Sequence, residues 1–138
     1  MKKFLPAVAG VLAMASVSTA ALANERDDLT EVEVSLWEIV ASVTYYALDN
    51  GDVALTEYNK QLDDVATFWA DFKTEAGPGM APGIPMFEEA YSDVVEHAKL
   101  AVDATTAEAR LASVNDMWRA AHLADDVLDL ELKAKISD

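Results

Sequence analysis

The sequence predicts an all-α protein, an antiparallel four-helix bundle in up-down-up-down order, and three observations carry that expectation. Apolar residues recur at three- and four-residue steps through most of the chain after residue 28. No segment alternates with period two between hairpin turns. Helix-breaking residues gather at 49–52 and 75–85, and a capping signal follows near 105. These punctuations leave four segments of about twenty residues, each about 30 Å long as a helix, with short, long and short connections.

The first helix is expected from Leu29 to Leu48. Asp28 with Glu31 three residues on reads as a capping box. Leu29, Val32, Leu36, Ile39/Val40, Val43 and Tyr46/Ala47 then fall on one face. Asn50-Gly51 stops this helix, and Asp52 offers the next N-cap. In the second helix Leu55, Tyr58, Leu62, Val65, Trp69 and Phe72 step by 3, 4, 3, 4, 3, which is a coiled-coil-like stripe. It ends at "EAGPGMAPGIP", where three glycines and three prolines forbid regular helix.

Pro85 suits the first turn of a third helix, whose apolar face is Phe87, Ala90/Tyr91, Val94, Ala98 and Ala101/Val102. Thr105 with Glu108 forms another capping box, opening a fourth helix that runs to about Lys133. Leu111, Val114, Trp118 and Ala121 line it, and lysines near its end suit the negative helix pole.

Residues 1–23 read as a secretory leader. "MKK" is a basic start, an apolar run follows, and Ala21-Leu22-Ala23 is a small-x-small cleavage site. The apolar run is too short for a membrane anchor. This predicts a periplasmic protein with residues 24–138 as one domain, free of the membrane after cleavage. There is no cysteine, which removes disulfides, thiolate metal sites and thiol catalysis together. The leader holds Lys2 and Lys3 and none of the 25 acidic residues, so the net charge moves from −15 for the full chain to about −17 for the domain. Such a field repels nucleic acid and anionic membranes and favours basic partners or cations.

Little in the chain suggests catalysis. Neither histidine belongs to a Glu-x-x-His motif, because Val94 precedes His97 by three residues and Arg119 precedes His122. This excludes the di-iron carboxylate site of helix bundles. No serine sits in a Gly-x-Ser-x-Gly turn, and no pair of carboxylates is marked for acid–base work. The expectation is a non-enzyme, with no catalytic residue. His97, four residues after Asp93, reads as a boundary histidine bonded to a carboxylate or water. Met80 and Met86 read as covers for a bundle end, with soft-metal ligation as the alternative. Trp37, Trp69 and Trp118 all fall on or beside apolar faces. His122 lies one turn beyond Trp118, at the flank of the stripe and within reach of a space between helices.

Those last residues carry a resemblance. "TFWADF" closing the second helix, the "GPG" loop, "IPMFEEAY" opening the third and "WRAAH" on the fourth resemble the cytochrome c-prime group and the soluble periplasmic b-type cytochromes. The resemblance covers most of the mature chain. In cytochrome c-prime the last helix holds Cys-x-x-Cys-His, with haem bonded to both cysteines and iron held by the histidine. The matching window here is Trp118-Arg119-Ala120-Ala121-His122. With both cysteines absent, covalent haem c is excluded. The resemblance then implies haem b held without covalent bonds, five-coordinate through His122, for electron transfer or small-gas binding. Its apolar pocket would be lined by Leu36, Trp37, Phe72, Phe87, Trp118 and Ala121. A basic redox partner protein and a homodimer are the partners implied. Two other readings stand beside it. One is a haem-free member of the fold, its cavity packed by tryptophan, acting as a binding or interaction module. The other is a divalent-metal or copper binder using His97, His122, Met80 or acidic side chains.

Overall fold

In the computed structural model, which describes residues 14–49 and 51–136, four helices pack antiparallel around one core: α1 (Met14–Asp49), α2 (Asp52–Glu75), α3 (Gly83–Asp103) and α4 (Ala107–Val127). A 3₁₀ turn, Pro78–Met80, lies in the α2–α3 connection. A π-helical turn, Leu128–Leu132, and a 3₁₀ turn, Lys133–Lys135, prolong α4. The leader through residue 13, and Asn50 in the first stop, lie outside the described residues. Among the described residues no helix is long and apolar enough to cross a membrane.

The expected stripes build the core. Leu29, Val32, Leu36, Ile39, Val40 and Val43 of α1 are fully buried, as are Phe72 of α2 and Phe87 and Val94 of α3. Each large apolar side chain so buried contributes about 2–3 kcal/mol. Two pairs of neighbours, α1 with α2 and α3 with α4, make the closest approaches, and α4 also lies along α1. Ser42 and the buried Gln61 join α1 to α2 through a side-chain hydrogen bond of 2.9 Å.

Four local expectations are corrected. The first helix does not begin at Leu29 under an Asp28 cap; α1 is continuous from Met14. Residues 14–28 contain no glycine or proline and four alanines, so nothing in them interrupts a helix. The N-cap of α2 is Gly51 in extended conformation, with no side-chain cap bond, and Asp52 is the first helical residue. Its charge there still complements the positive helix end. Thr106, not Thr105, caps α4, its Oγ1 accepting from the Ala109 N–H at 3.1 Å. Either threonine has the required oxygen, and the chain uses the second.

The fourth correction bears on the site. The buried face of α4 is Val114, Met117, Ala121 and Ala124, while Leu111 and Trp118 of the expected stripe are exposed. The helix is turned by one position, so that the slender Met117 enters the core and the indole of Trp118 lies on the flank. Beyond α4 the buried residues Leu128, Leu132 and Ile136 recur at steps of four. In a regular α-helix each such step drifts by about 40° around the axis. Underwinding into a π turn absorbs that drift between Leu128 and Leu132. Leu132 thereby reaches Gly83, where an added Cβ would sit 2.6 Å from Leu132 Cδ2 and 3.0 Å from the Glu131 carbonyl oxygen. Pro85 falls in the first turn of α3 as expected, where its missing N–H costs no helical bond.

Candidate functional site

Where α1 and α4 run side by side, three rings meet. The Trp37 ring centroid lies 5.5 Å from that of Trp118 and 5.0 Å from that of His122, the latter edge-on at 63°. Trp118 and His122, one helical turn apart, are 6.2 Å from each other. Trp37 is half-buried, whereas Trp118 is 39% exposed and His122 is exposed. Trp118 is held from below: its Nε1–H donates to Thr44 Oγ1 at 3.1 Å, and the Thr44 hydroxyl donates to the Val40 carbonyl at 2.7 Å. The result is a fixed aromatic shelf open to solvent, with two indole faces and an imidazole edge. Such a surface recognises cations and planar groups.

A polar cluster adjoins the shelf one turn further along α4. Glu33 of α1 and Asp125 of α4 are in hydrogen-bonding contact, and Trp37 is placed to bond Asp125 as well. Asp129 brings a third carboxylate, with oxygens of all three groups within 4.8 Å of one another. The ammonium of Lys133 donates to Glu33 Oε1 and lies 3.6 Å from Asp129. It fills the cationic place in the cluster. Burial pushes the Asp125 carboxyl up to about 7, with Glu33 and Asp129 adding to the effect and Trp37 opposing it. Glu33 is held below the usual carboxylate range by its bonds to Asp125 and Lys133, against the opposing effect of burial. Asp125 Oδ1 is buried and accepts no hydrogen bond from a protein donor.

The residues expected to line one haem pocket are divided between two places. Trp37, Trp118 and His122 form the shelf. Phe72 and Phe87 instead join Trp69 in a second aromatic cluster, with centroids at 5.2 and 4.4 Å, and Phe87 stacks on Tyr91 at 5.7 Å. The Trp69 Nε1–H donates to Glu88 Oε2 at 2.9 Å, and Lys73 pairs with the same oxygen at 2.7 Å. Leu36 and Ala121 are fully buried in the core. A porphyrin bound through His122 needs an apolar opening in front of the imidazole. Among the described residues, the imidazole instead faces solvent across two packed indoles. As packed, these side chains do not fit the group.

The remaining candidates are dispersed. Met80 is buried at the bundle end, while Met86 is exposed on α3. Met86 borders a shallow groove of about 250 Å³ between α3 and α4, lined also by Glu89, Ala90, Asp93, Leu123 and Val127. His97 is half-buried, and its Nδ1 is buried without a hydrogen bond to any protein group, so the expected bond to a carboxylate is not made at that nitrogen.

Sequence reasoning missed the Glu33–Asp125 contact, finding no paired carboxylates. A signal was present: Trp118, His122, Asp125, Asp129 and Lys133 recur at three- and four-residue steps, and Glu33 and Trp37 are four apart. These are the flanks of the two apolar stripes, and polar flank residues on adjacent helices meet when the helices pack. Comparison with family models, with curated proteins and with solved structures gives no match, so the assignment of the site rests on its geometry.

Proposed function

We propose that the protein is an exported, non-enzymatic binding module that engages a cationic partner protein through the shelf of Trp37, Trp118 and His122. The observation that carries this reading is two tryptophans and a histidine in mutual contact, partly open to solvent, on a chain of net charge −15. Exposed, rigidly held tryptophan is the side chain that most often anchors protein interfaces. Its face attracts Lys and Arg, and the surrounding negative field speeds their approach. The leader-like residues 1–23 support encounter with that partner outside the cytoplasm.

The test is titration with acetylated, amidated hexa-arginine at low ionic strength, followed by tryptophan fluorescence and calorimetry. Saturable binding is expected, weakened about tenfold in Trp118→Ala, as the loss of a cation–π contact worth about 1–1.5 kcal/mol requires. Equal binding by the variant would reduce the interaction to bulk charge and overturn the reading. Haemin, titrated in parallel, serves the rival ligand: a saturable absorption band lost in His122→Ala would return the shelf to haem.

A further inference from the structure

We propose that Glu33 and Asp125 share a single proton, and that losing it strengthens the hold of the adjoining aromatic shelf on a cationic partner. The proposal rests on the shelf being the binding surface, and it adds a control to that surface.

The geometry asks for the proton. Two carboxyl groups from different helices have oxygens within 4.8 Å of each other, with a third, Asp129, alongside and one lysine among them. With all three ionised, three negative charges face one positive charge in a partly buried seam, and Asp125 Oδ1 is a buried acceptor without a donor. Buried polar atoms of folded proteins are nearly always paired. One added proton resolves both difficulties, because a protonated carboxyl donates to its neighbour and removes one like charge. Lys133 sits on the Glu33 side and stabilises the ionised form there, which leaves the proton on Asp125. Like charges this close titrate as a pair, in two separated steps.

The coupling to the shelf is short. Trp37 lies close enough to Asp125 to lower its carboxyl, and it contacts both Trp118 and His122 through its rings. Among the described residues, the charged groups bearing on the pair are Asp129 and Lys133 from the turns after α4, beside Glu33 from α1. His122 touches Trp37 rather than the pair. When the proton leaves, a full negative charge appears against the Trp37 indole. The shelf then offers a bound Lys or Arg both a π face and an adjacent anion.

The experiment has two arms on the whole chain. First, carboxyl-carbon NMR follows Asp125 and Glu33 of the unmodified protein as pH is raised. Two separate steps are expected, the upper one close to neutrality, and Glu33→Gln should leave a single Asp125 step, at lower pH than that upper one but still raised by burial and Asp129. An Asp125 titration confined to the ordinary acid range would overturn the proposal. Second, hexa-arginine affinity is measured from pH 5.5 to 8.5 for the unmodified protein and for Asp125→Asn, with circular dichroism checking that the helices persist. The unmodified protein should bind about threefold more tightly at the upper pH, the size of one partly screened charge pair. In Asp125→Asn that gain should disappear, and any contribution from His122 is common to both proteins. Binding that weakens in Trp118→Ala yet gains equally with pH in the unmodified and Asp125→Asn proteins sinks the switch and spares the shelf. Two-step titration without peptide binding leaves the shared proton standing but removes both the shelf and its control.

Discussion

Asp125 and Asp126 show how far one step along a helix can turn a carboxylate, from open solvent to the seam between two helices. Asp126 points away into solvent, whereas Asp125 turns toward Glu33 and Trp37. That difference has a thermodynamic sign. The Asp125 carboxyl rises from an ordinary value of 3.8 to about 7 on folding. Over that interval the folded protein binds the proton that the unfolded chain has released, so the proton favours the fold, and this stabilisation is lost as pH climbs through the interval. Glu33 acts in the opposite sense, since its lowered value favours the fold only above the usual carboxylate range. Stability to urea should therefore be greatest in mildly acidic solution and fall toward pH 8. Asp125→Asn should flatten the fall. Urea midpoints at pH 5 and pH 8 for both proteins check this, and a midpoint that rises with pH in the unmodified protein would contradict it.

At the scale of the elements, the start of α3 lies close against the π turn after α4. Gly83→Ala would drive a methyl group into Leu132 and the Glu131 carbonyl. Overpacking against backbone costs about 1–3 kcal/mol, and an equilibrium urea titration should show that loss with the slope of the transition unchanged. The helices themselves were legible in the sequence because their signals are local: the apolar stripes of α1, α2 and α3 are buried as read, and Pro85 stands where a helix begins. The rotation of α4 was not legible. Met117 and Trp118 are both apolar and adjacent, so periodicity alone does not decide which faces inward. The choice depends on the space that the other three helices leave. The site was obscured for a related reason. His122 and Trp118 stood out, but Trp37 and Thr44, which meet them, and Glu33, which meets Asp125, lie on α1 and are brought in only by packing α1 against α4. Phe72 and Phe87, grouped with them by chemistry, belong to the other aromatic cluster.

For the molecule as a whole, charge is the dominant asymmetry. Lys60, Lys73, Lys99, Arg119, Lys133 and Lys135 are all engaged in ion pairs. Acidic residues outnumber basic ones by 25 to 10, so the unbalanced negative charge repels itself and opposes compaction. Raising sodium chloride from about 10 mM to about 0.5 M shortens the screening length several-fold and should raise the melting temperature by about 4 °C, as relief of about 1 kcal/mol does in a domain of this size. The same salt should weaken hexa-arginine binding, so the two effects of one variable run in opposite directions. The π turn at Leu128–Leu132 gives the fold an uneven tolerance of length. It holds one residue more than an α-helical turn would over the same path. A one-residue deletion there can be taken up by tightening to regular helix, with Leu132 still seated on Gly83. The same deletion earlier in α4 would swing every later side chain about 100° around the axis and carry Asp125 away from Glu33. Chain length is thus loosely constrained just after the Glu33–Asp125 pair and strictly constrained just before it.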